Sequence, residues 1–210
     1  MYLNIYGALR QEIISGAVGP GQTLSNRSIA AQIGVSTTPV RDALRRLVAD
    51  GVLQAVPKSA FIVRPVSLER FRQLLELRVL LERFAAERAA TAISEADLEK
   101  LSAANAIYAD KTASAGDRLR ANCDFHFLIY RAAGINDLVT LIELLWVRVG
   151  PLLNFTTSDS DHDAGIAHHL SIMAALHRKD GAAAAASIEA DLRSAGLRIE
   201  QNLALDTAGA

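Results

Sequence analysis

Four polar residues in the second half of the chain are spaced as a metal centre would space them. Asn122 and His126 are four apart, so on a helix they share one face, and they stand among Phe125, Phe127, Leu128 and Ile129, where a polar side chain needs a partner. His169 precedes Asp180 by 11 residues and Asp191 follows it by 11. If the helices flanking Asp180-Gly181 pack antiparallel, this equal distance from the turn sets His169 and Asp191 level. Three helices then aim an amide oxygen, two imidazoles and a carboxylate at one centre. Such nitrogen and oxygen donors suit a divalent zinc, manganese, nickel or iron ion. The same spacing allows His126 and His169 to be hydrogen-bonded core histidines, because neither belongs to a strong ligand motif.

A second set of residues carries the chemistry of nucleic-acid contact. Residues 26–48, NRSIAAQIGVSTTPVRDALRRLV, read as a helix, a tight turn and a second helix. Ile29, Ala30 and Ile33 give the first helix an apolar face, and Gly34 ends it, since glycine takes a left-handed cap without steric cost. Ser36 stands where it can cap the next helix, and Pro39 falls in the first turn, where its missing N–H does no harm. Val40, Leu44, Leu47 and Val48 face a core, which leaves Thr37, Thr38, Arg41 and Arg45 on the opposite side. Hydroxyls at a helix N-terminus hold phosphate, and arginines one turn apart reach guanine edges in a major groove.

The elements that must position these groups follow from the flanking pattern. Leu3, Tyr6, Leu9, Ile13 and Ile14 are periodic and predict a leading helix closed by Gly16 and Pro20-Gly21. After Asp50-Gly51, residues 52–56 and 61–63 read as two short strands about the turn Pro57-Lys58-Ser59-Ala60, a wing with Lys58 at its tip. Residues 1–66 thus form a winged helix-turn-helix domain. Residues 67–204 show no strand pattern. Ser67 and Ser94 begin helices running to about Ala92 and through Tyr108. Further helices are expected over about 117–132, 137–153 (bent at Gly150-Pro151), 162–179 and 182–203, with residues 205–210 an unstructured tail. The fold class is mainly α: a winged head with a short β-hairpin, followed by an all-helical bundle.

Composition narrows the possibilities. Across 210 residues the hydrophobic share is 50% and the aromatic share 5%, so alanine and leucine carry the core and favour helices. A single cysteine, Cys123, excludes an internal disulfide and suits a reducing cytoplasm. No basic-then-apolar leader precedes the first helix. The longest apolar stretch, 138–153, contains Glu143 and Arg148 and reads as a buried helix, so no membrane partner is expected. The net charge of −1 conceals an asymmetry: residues 1–66 hold seven Lys/Arg against three Asp/Glu, and the rest is acidic. A basic head on an acidic body is expected where only one end meets phosphate. So modest a charge needs two copies on adjacent half-sites to bind tightly.

With these motifs in hand, the chain resembles the GntR family of transcriptional regulators, in the FadR-like subgroup with an FCD effector domain. The resemblance runs through Leu9-Arg10, Ile13-Ile14-Ser15-Gly16, Pro20-Gly21, Leu24, Ile29-Ala30, Ile33-Gly34-Val35-Ser36, Pro39 to Leu47 and Asp50-Gly51-Val52-Leu53. It continues at Leu77-Arg78, Leu81-Glu82, Asn122, Phe125-His126, Ala133-Gly134, His169, Ile172 and Leu192. It implies DNA contacts at Arg27, Ser36, Thr38 and Arg41, metal-ligand positions at Asn122, His126, His169 and Asp191, and a ligand pocket near Arg78. It further implies a homodimer on a double-stranded operator, a small organic acid effector bridging the metal and an arginine such as Arg78 or Arg148, and repression released by that acid. The chain departs from the family pattern at Thr37, where arginine is usual, at Ala60, where glycine is usual, and at Asn122 and Asp191, which stand for aspartate and histidine. These last two changes leave open a constitutive regulator with a decayed effector site. A helical metal-dependent enzyme is the other alternative, but no residue stands as a base beside a nucleophile and no HExxH helix is present.

Overall fold

The computed structural model describes residues 4–57, 60–156 and 158–208. Lys58, expected at the wing tip, lies outside the described residues, as does Leu3. The chain opens with α1 (Ile5–Ile14), capped by the Asn4 side chain, which accepts from the Gly7 amide at 2.9 Å. A short strand β1 (Thr23–Ser25) follows, then α2 (Asn26–Ile33) and α3 (Thr37–Ala49). Gly34 between them takes the left-handed conformation, with φ 70° and ψ 33°, as the turn requires. Ser36 occupies the N-cap position of α3 in extended backbone, yet its hydroxyl makes no capping bond.

The wing strands are β2 (Leu53–Val56) and β3 (Ala60–Val63). They form a three-stranded antiparallel sheet in the order β1-β3-β2, with Leu24 opposite Phe61 and Ala55 opposite Phe61 on the other side. β1 has no signature in the sequence, because three residues are too few to show alternation. Ala60 sits inside β3, paired with both Ser25 and Val56, and is not among the residues of positive φ. Alanine there is therefore unstrained. Behind the sheet, Ile13, Ile14, Val40, Leu44, Leu47 and Leu53 are fully enclosed, whereas Ile33, expected on the apolar face of its helix, is 38% exposed.

The body is α4 (Leu68–Ala92), α5 (Glu95–Ala109), α6 (Ala115–Ala132), α7 (Asn136–Val149), a 3-10 turn (Gly150–Thr156), α8 (Asp159–His177) and α9 (Gly181–Ala208). Serine starts four of these helices: the hydroxyls of Ser67, Ser94, Ser114 and Ser158 accept from backbone amides three residues on. Ser114 is therefore the cap of α6, which begins at Ala115, two residues before its expected start. The central pairing is α4 with α9, close enough that a Cβ at Gly196 would stand 2.6 Å from Leu75, and Ala85, Ala86, Ala89 and Ala90 of α4 are without exposure.

The unstructured tail expected from 205 is corrected, since α9 continues to Ala208. Leu203 is 8% exposed and Leu205 is 71% exposed, so the apolar signal fades after Leu203 while the backbone stays helical. By length and composition alone, Asn136–Thr156 is apolar enough to cross a bilayer; 56% of an apolar 18-residue segment of it is buried within this fold.

The head and body meet along α1, α7 and the 3-10 turn. Gly150 lies against the carbonyls of Ile13 and Ile14, and a Cβ there would stand 2.7 Å from the Ile14 oxygen. Asn154 donates to the Gly16 carbonyl at 2.6 Å, Arg120 pairs with Glu12 at 3.1 Å, and Arg10 pairs with Glu143.

Candidate functional site

On the head, the described side chains expected to meet DNA are open to solvent. Arg27, Ser36, Thr37, Thr38, Arg41 and Arg45 are all exposed, while Val40, Ala43, Leu44 and Leu47 turn α3 into the core. The hydroxyl of Ser36, free of its own helix end, is available to a phosphate oxygen. Arg46, on the flank of the same helix, is held over the Tyr6 ring with its guanidinium carbon 4.1 Å from the centroid. The Tyr6 hydroxyl in turn donates to Asp50 at 2.7 Å, so α1 and the end of α3 are tied by one chain of contacts.

In the body, α6, α8 and α9 bring three of the four expected donors together. One ligand atom from each of His126, His169 and Asp191 lies within 4.8 Å of the other two. His126 Nε2 is 3.3 Å from an Asp191 oxygen, and its Nδ1 is 3.2 Å from the Tyr130 hydroxyl. The Tyr130 hydroxyl donates to Glu82, which also accepts from Arg78 through Nε at 2.6 Å. His169 is held from the other side: its Nδ1 donates to the Asn105 amide oxygen at 3.0 Å, and its ring stacks on Phe125 with centroids 3.9 Å apart. That bond fixes the tautomer and turns a lone pair outward at Nε2.

Whether these residues fit a metal can be read from their unmet needs. His169 Nε2 is enclosed and has no hydrogen-bond partner among the described residues. A buried acceptor left unpaired is costly, and a cation beside it would satisfy it. Burial, then the neighbouring His126, pushes the His169 imidazole down to about 3, so the ring stays neutral and able to ligate. Burial alone would raise the Asp191 carboxyl, but the His126 hydrogen bond and the nearby imidazoles hold it below the usual carboxylate range. The donor set therefore fits a divalent ion. Asn122 lines the cavity above the three, one turn before His126.

That cavity has a free volume of about 70 Å³ and is bounded by Arg78, Arg118, Tyr108, Trp146, His162 and Arg198 as well as Asn122, His126 and Asp191. Arg78, expected beside a ligand, is largely committed already. It forks onto Glu82 and lies 4.4 Å from the Trp146 ring centroid, and the charge of Glu82 keeps the guanidinium above its ordinary value despite burial. Arg148 is not brought to the cavity at all. It lies two residues beyond Trp146, on another face of α7, and its Nε donates to the Asp50 carbonyl at 3.1 Å, at the end of α3. His168 lines the cavity, whereas His169 sits behind the wall. Cys123 points into the core, where burial pushes its thiol up to about 12.

Sequence reasoning missed Glu82, Asn105, Tyr108, Arg118, Tyr130 and His162. Glu82 left one usable signal: it follows Arg78 by four positions on a largely apolar helix face, a spacing at which opposite charges pair. Asn105 left none, because an asparagine in an alanine-rich helix looks like surface.

Two family descriptions cover most of the chain. Residues 1–63 match the bacterial regulatory proteins of the gntR family, and residues 73–194 match the FCD domain. The chain is 30% identical over 188 residues to the HTH-type transcriptional regulator McbR of Escherichia coli, covering 85% of this chain and 83% of McbR. It is 27% identical over 194 residues to the HTH-type transcriptional regulator YdhC of Bacillus subtilis, covering 87% and 84%. The solved structure of E. coli McbR superposes with a TM-score of 0.83 at 28% identity, covering 97% of this chain and 95% of that one. A GntR structure from Rhodococcus shares the fold, with a TM-score of 0.71 at 23% identity over 93% and 95% of the two chains. The winged head, the helical body and these matches agree: the chain belongs to the GntR family of bacterial regulatory proteins, in the branch carrying an FCD domain, and is a DNA-binding transcriptional regulator rather than an enzyme.

Proposed function

We propose that the protein is a cytoplasmic homodimeric repressor that leaves its operator when a small organic acid enters the cavity in the body. The observation that carries this reading is the donor cluster His126, His169 and Asp191, two of which, His126 and Asp191, line a cavity with arginines in its wall. Nothing about binding DNA requires such a cluster.

In the reading head, the exposed face of α3 enters a major groove. Arg41 and Arg45 reach base edges or phosphates there, and Arg27, Ser36, Thr37, Thr38 and Lys58 hold the backbone. Two heads at fixed separation span successive grooves about 34 Å apart. In the body, His126, His169, Asp191 and Asn122 would hold a divalent ion, zinc, manganese, nickel or iron. When bound, that ion supplies a fixed positive charge to which a carboxylate can be anchored. Tyr130 and Asn105 orient the two imidazoles, and Arg78, braced by Glu82, adds positive charge to the wall.

The route to the head is α7 and the 3-10 turn. Trp146, Leu153 and Thr156 line the cavity from this element, while Gly150 rests on the end of α1, Asn154 holds the Gly16 carbonyl just beyond it and Arg148 holds the end of α3. A ligand that shifts this strut changes the set of the head, and ligand and operator affinities then alter each other by the same factor.

Fluorescence anisotropy on the DNA upstream of the gene tests the proposal, using zinc-loaded and chelator-treated protein with and without short carboxylic acids. Tight binding that an acid weakens in the loaded protein is expected. An Asn122→Ala/His169→Ala variant should still bind DNA and lose the response. An unchanged response in that variant removes the site, and no binding to that DNA at low ionic strength removes the operator reading.

A further inference from the structure

His162 lies in the cavity wall with an unmet need of its own. It is 3% exposed, sits on α8 two turns before His169, and is no part of the donor cluster. Its Nε2 donates to the backbone carbonyl of Tyr108 at 2.5 Å, and its ring meets the Tyr108 ring edge-on with centroids 5.0 Å apart. These contacts fix the orientation of the imidazole and place the proton of the neutral ring on Nε2. Nδ1 is left as a lone pair, enclosed and without a partner among the described residues. Gly165, nearly one turn on, leaves room for the Tyr108 hydroxyl, which would clash with any Cβ there. The position of His162 is therefore built rather than incidental.

A buried acceptor beside a ligand cavity asks for a donor on the ligand. Two kinds are common on small organic acids, hydroxyl and ammonium. The wall decides between them. Arg78 and Arg198 border the cavity as ion pairs, with Glu82 and Asp161, but the Arg118 guanidinium has neither ion pair nor hydrogen bond among the described residues, and the divalent ion proposed beside Asp191 would add further positive charge. A second cation is disfavoured in such surroundings, while a neutral hydroxyl is not. The free volume of about 70 Å³ is roughly half that of a cavity known to hold benzene, which limits the ligand to a few heavy atoms.

We infer that the effector is a short hydroxy acid, and that His162 selects it by accepting a hydrogen bond from the hydroxyl at Nδ1. This rests on the cavity being the effector site and adds the chemical class it takes. A site built around a hydrogen bond to a ligand hydroxyl rejects the analogue lacking it, because its own polar atom is then left unpaired.

Calorimetric titration of the zinc-loaded, full-length protein at pH 8 tests this with matched probes: glycolate against acetate, lactate and 3-hydroxypropionate against propionate, and alanine as the ammonium counterpart. At least one hydroxy acid should bind tenfold or more tightly than its unsubstituted partner, and alanine no better than propionate. In His162→Phe, which keeps an aromatic ring against Tyr108, the preference should fall to about onefold while propionate binding persists, which also shows the variant folded. His162→Gln, which returns an acceptor oxygen, should recover part of it. Equal binding of hydroxy and plain acids by the unaltered protein overturns the role of His162 and leaves the effector site standing. A preference surviving in His162→Phe also overturns it. Binding of no acid at all removes the effector-site reading, and the inference with it.

Discussion

In the head, the side chains offered to a partner stand in water: Arg27, Arg41 and Arg45 are exposed, and the residues behind them, Val40, Leu44 and Leu47, are fully enclosed hydrocarbon. In the body the arrangement is inverted. His126, His169 and Asp191 are 2%, 0% and 9% exposed, and each depends on a second polar residue to hold it. The head therefore separates stability from recognition, and a charge can be removed there without touching the core. The body fuses them, since the atoms that would bind a ligand are also buried polar groups whose partners the fold must supply. Substitutions should divide along this line.

The sharpest division is expected at Glu82. It is without exposure and accepts from both Arg78 and Tyr130, so Glu82→Ala leaves a buried guanidinium uncompensated. A loss of about 3–5 kcal/mol in urea unfolding is expected. A loss under about 1 kcal/mol would mean water enters this network, and the contrast between regions would weaken. Next comes the seam between the two regions. Gly150→Ala drives a methyl toward the Ile13 and Ile14 carbonyls, which as backbone cannot swing aside. The expected cost is about 1–3 kcal/mol, and calorimetry should resolve separate transitions for head and body where the unaltered protein shows one. A single unshifted transition would show that the seam does not couple them.

Arg41→Ala reverses the pattern. Operator affinity should fall by about 1–3 kcal/mol if the arginine reads a base, with the unfolding transition unchanged. A loss equal on all DNA sequences, with a shallower salt dependence, assigns it to phosphate instead. Lowered thermal stability in this variant would contradict the separation claimed for the head.

The same contrast explains what the sequence made legible. The head could be read almost residue by residue, because its signals are local: a glycine at a left-handed position, a proline in a first turn, apolar residues at i, i+4 and i+7 on α3. β1 escaped, being three residues held by pairing with β3 far along the chain, and two local signals misled, since Ile33 is exposed and Ser36 makes no capping bond. In the body, the starts of α4 and α5 were legible for the same local reason, since Ser67 and Ser94 announce them, whereas α6 and α8, capped by Ser114 and Ser158, begin two and three residues before their expected starts. The donor cluster was legible through one regularity, the equal distance of His169 and Asp191 from Asp180. What supports that cluster was not. Asn105 meets His169 across 64 positions and Tyr130 meets Glu82 across 48, and neither pairing leaves a periodic trace. Arg148 shows the opposite failure: its chemistry suited a carboxylate, but its place on α7 sends it to the end of α3.

The smallest effect tests how dry the body is immediately beside the cavity. Cys123 follows Asn122 directly, yet it turns about 100° around α6 and faces the core instead of the cavity. Burial pushes its thiol up to about 12 from the ordinary 9.0, so the unfolded chain releases this proton at lower pH than the folded one. Below the ordinary value both states hold the proton and the thiol costs nothing. As pH rises through 9 toward 12, the unfolded state gains a thiolate that the folded state cannot form, and stability is lost. Comparing urea unfolding of the unaltered protein with Cys123→Ala at pH 8 and pH 10 should therefore show a relative loss of about 1 kcal/mol at the higher pH. Native protein at pH 8 should also resist alkylation until it unfolds. If the thiol reacts freely while the protein stays folded, water reaches the core side of α6, and the body no longer differs from the head in where its reactive atoms lie.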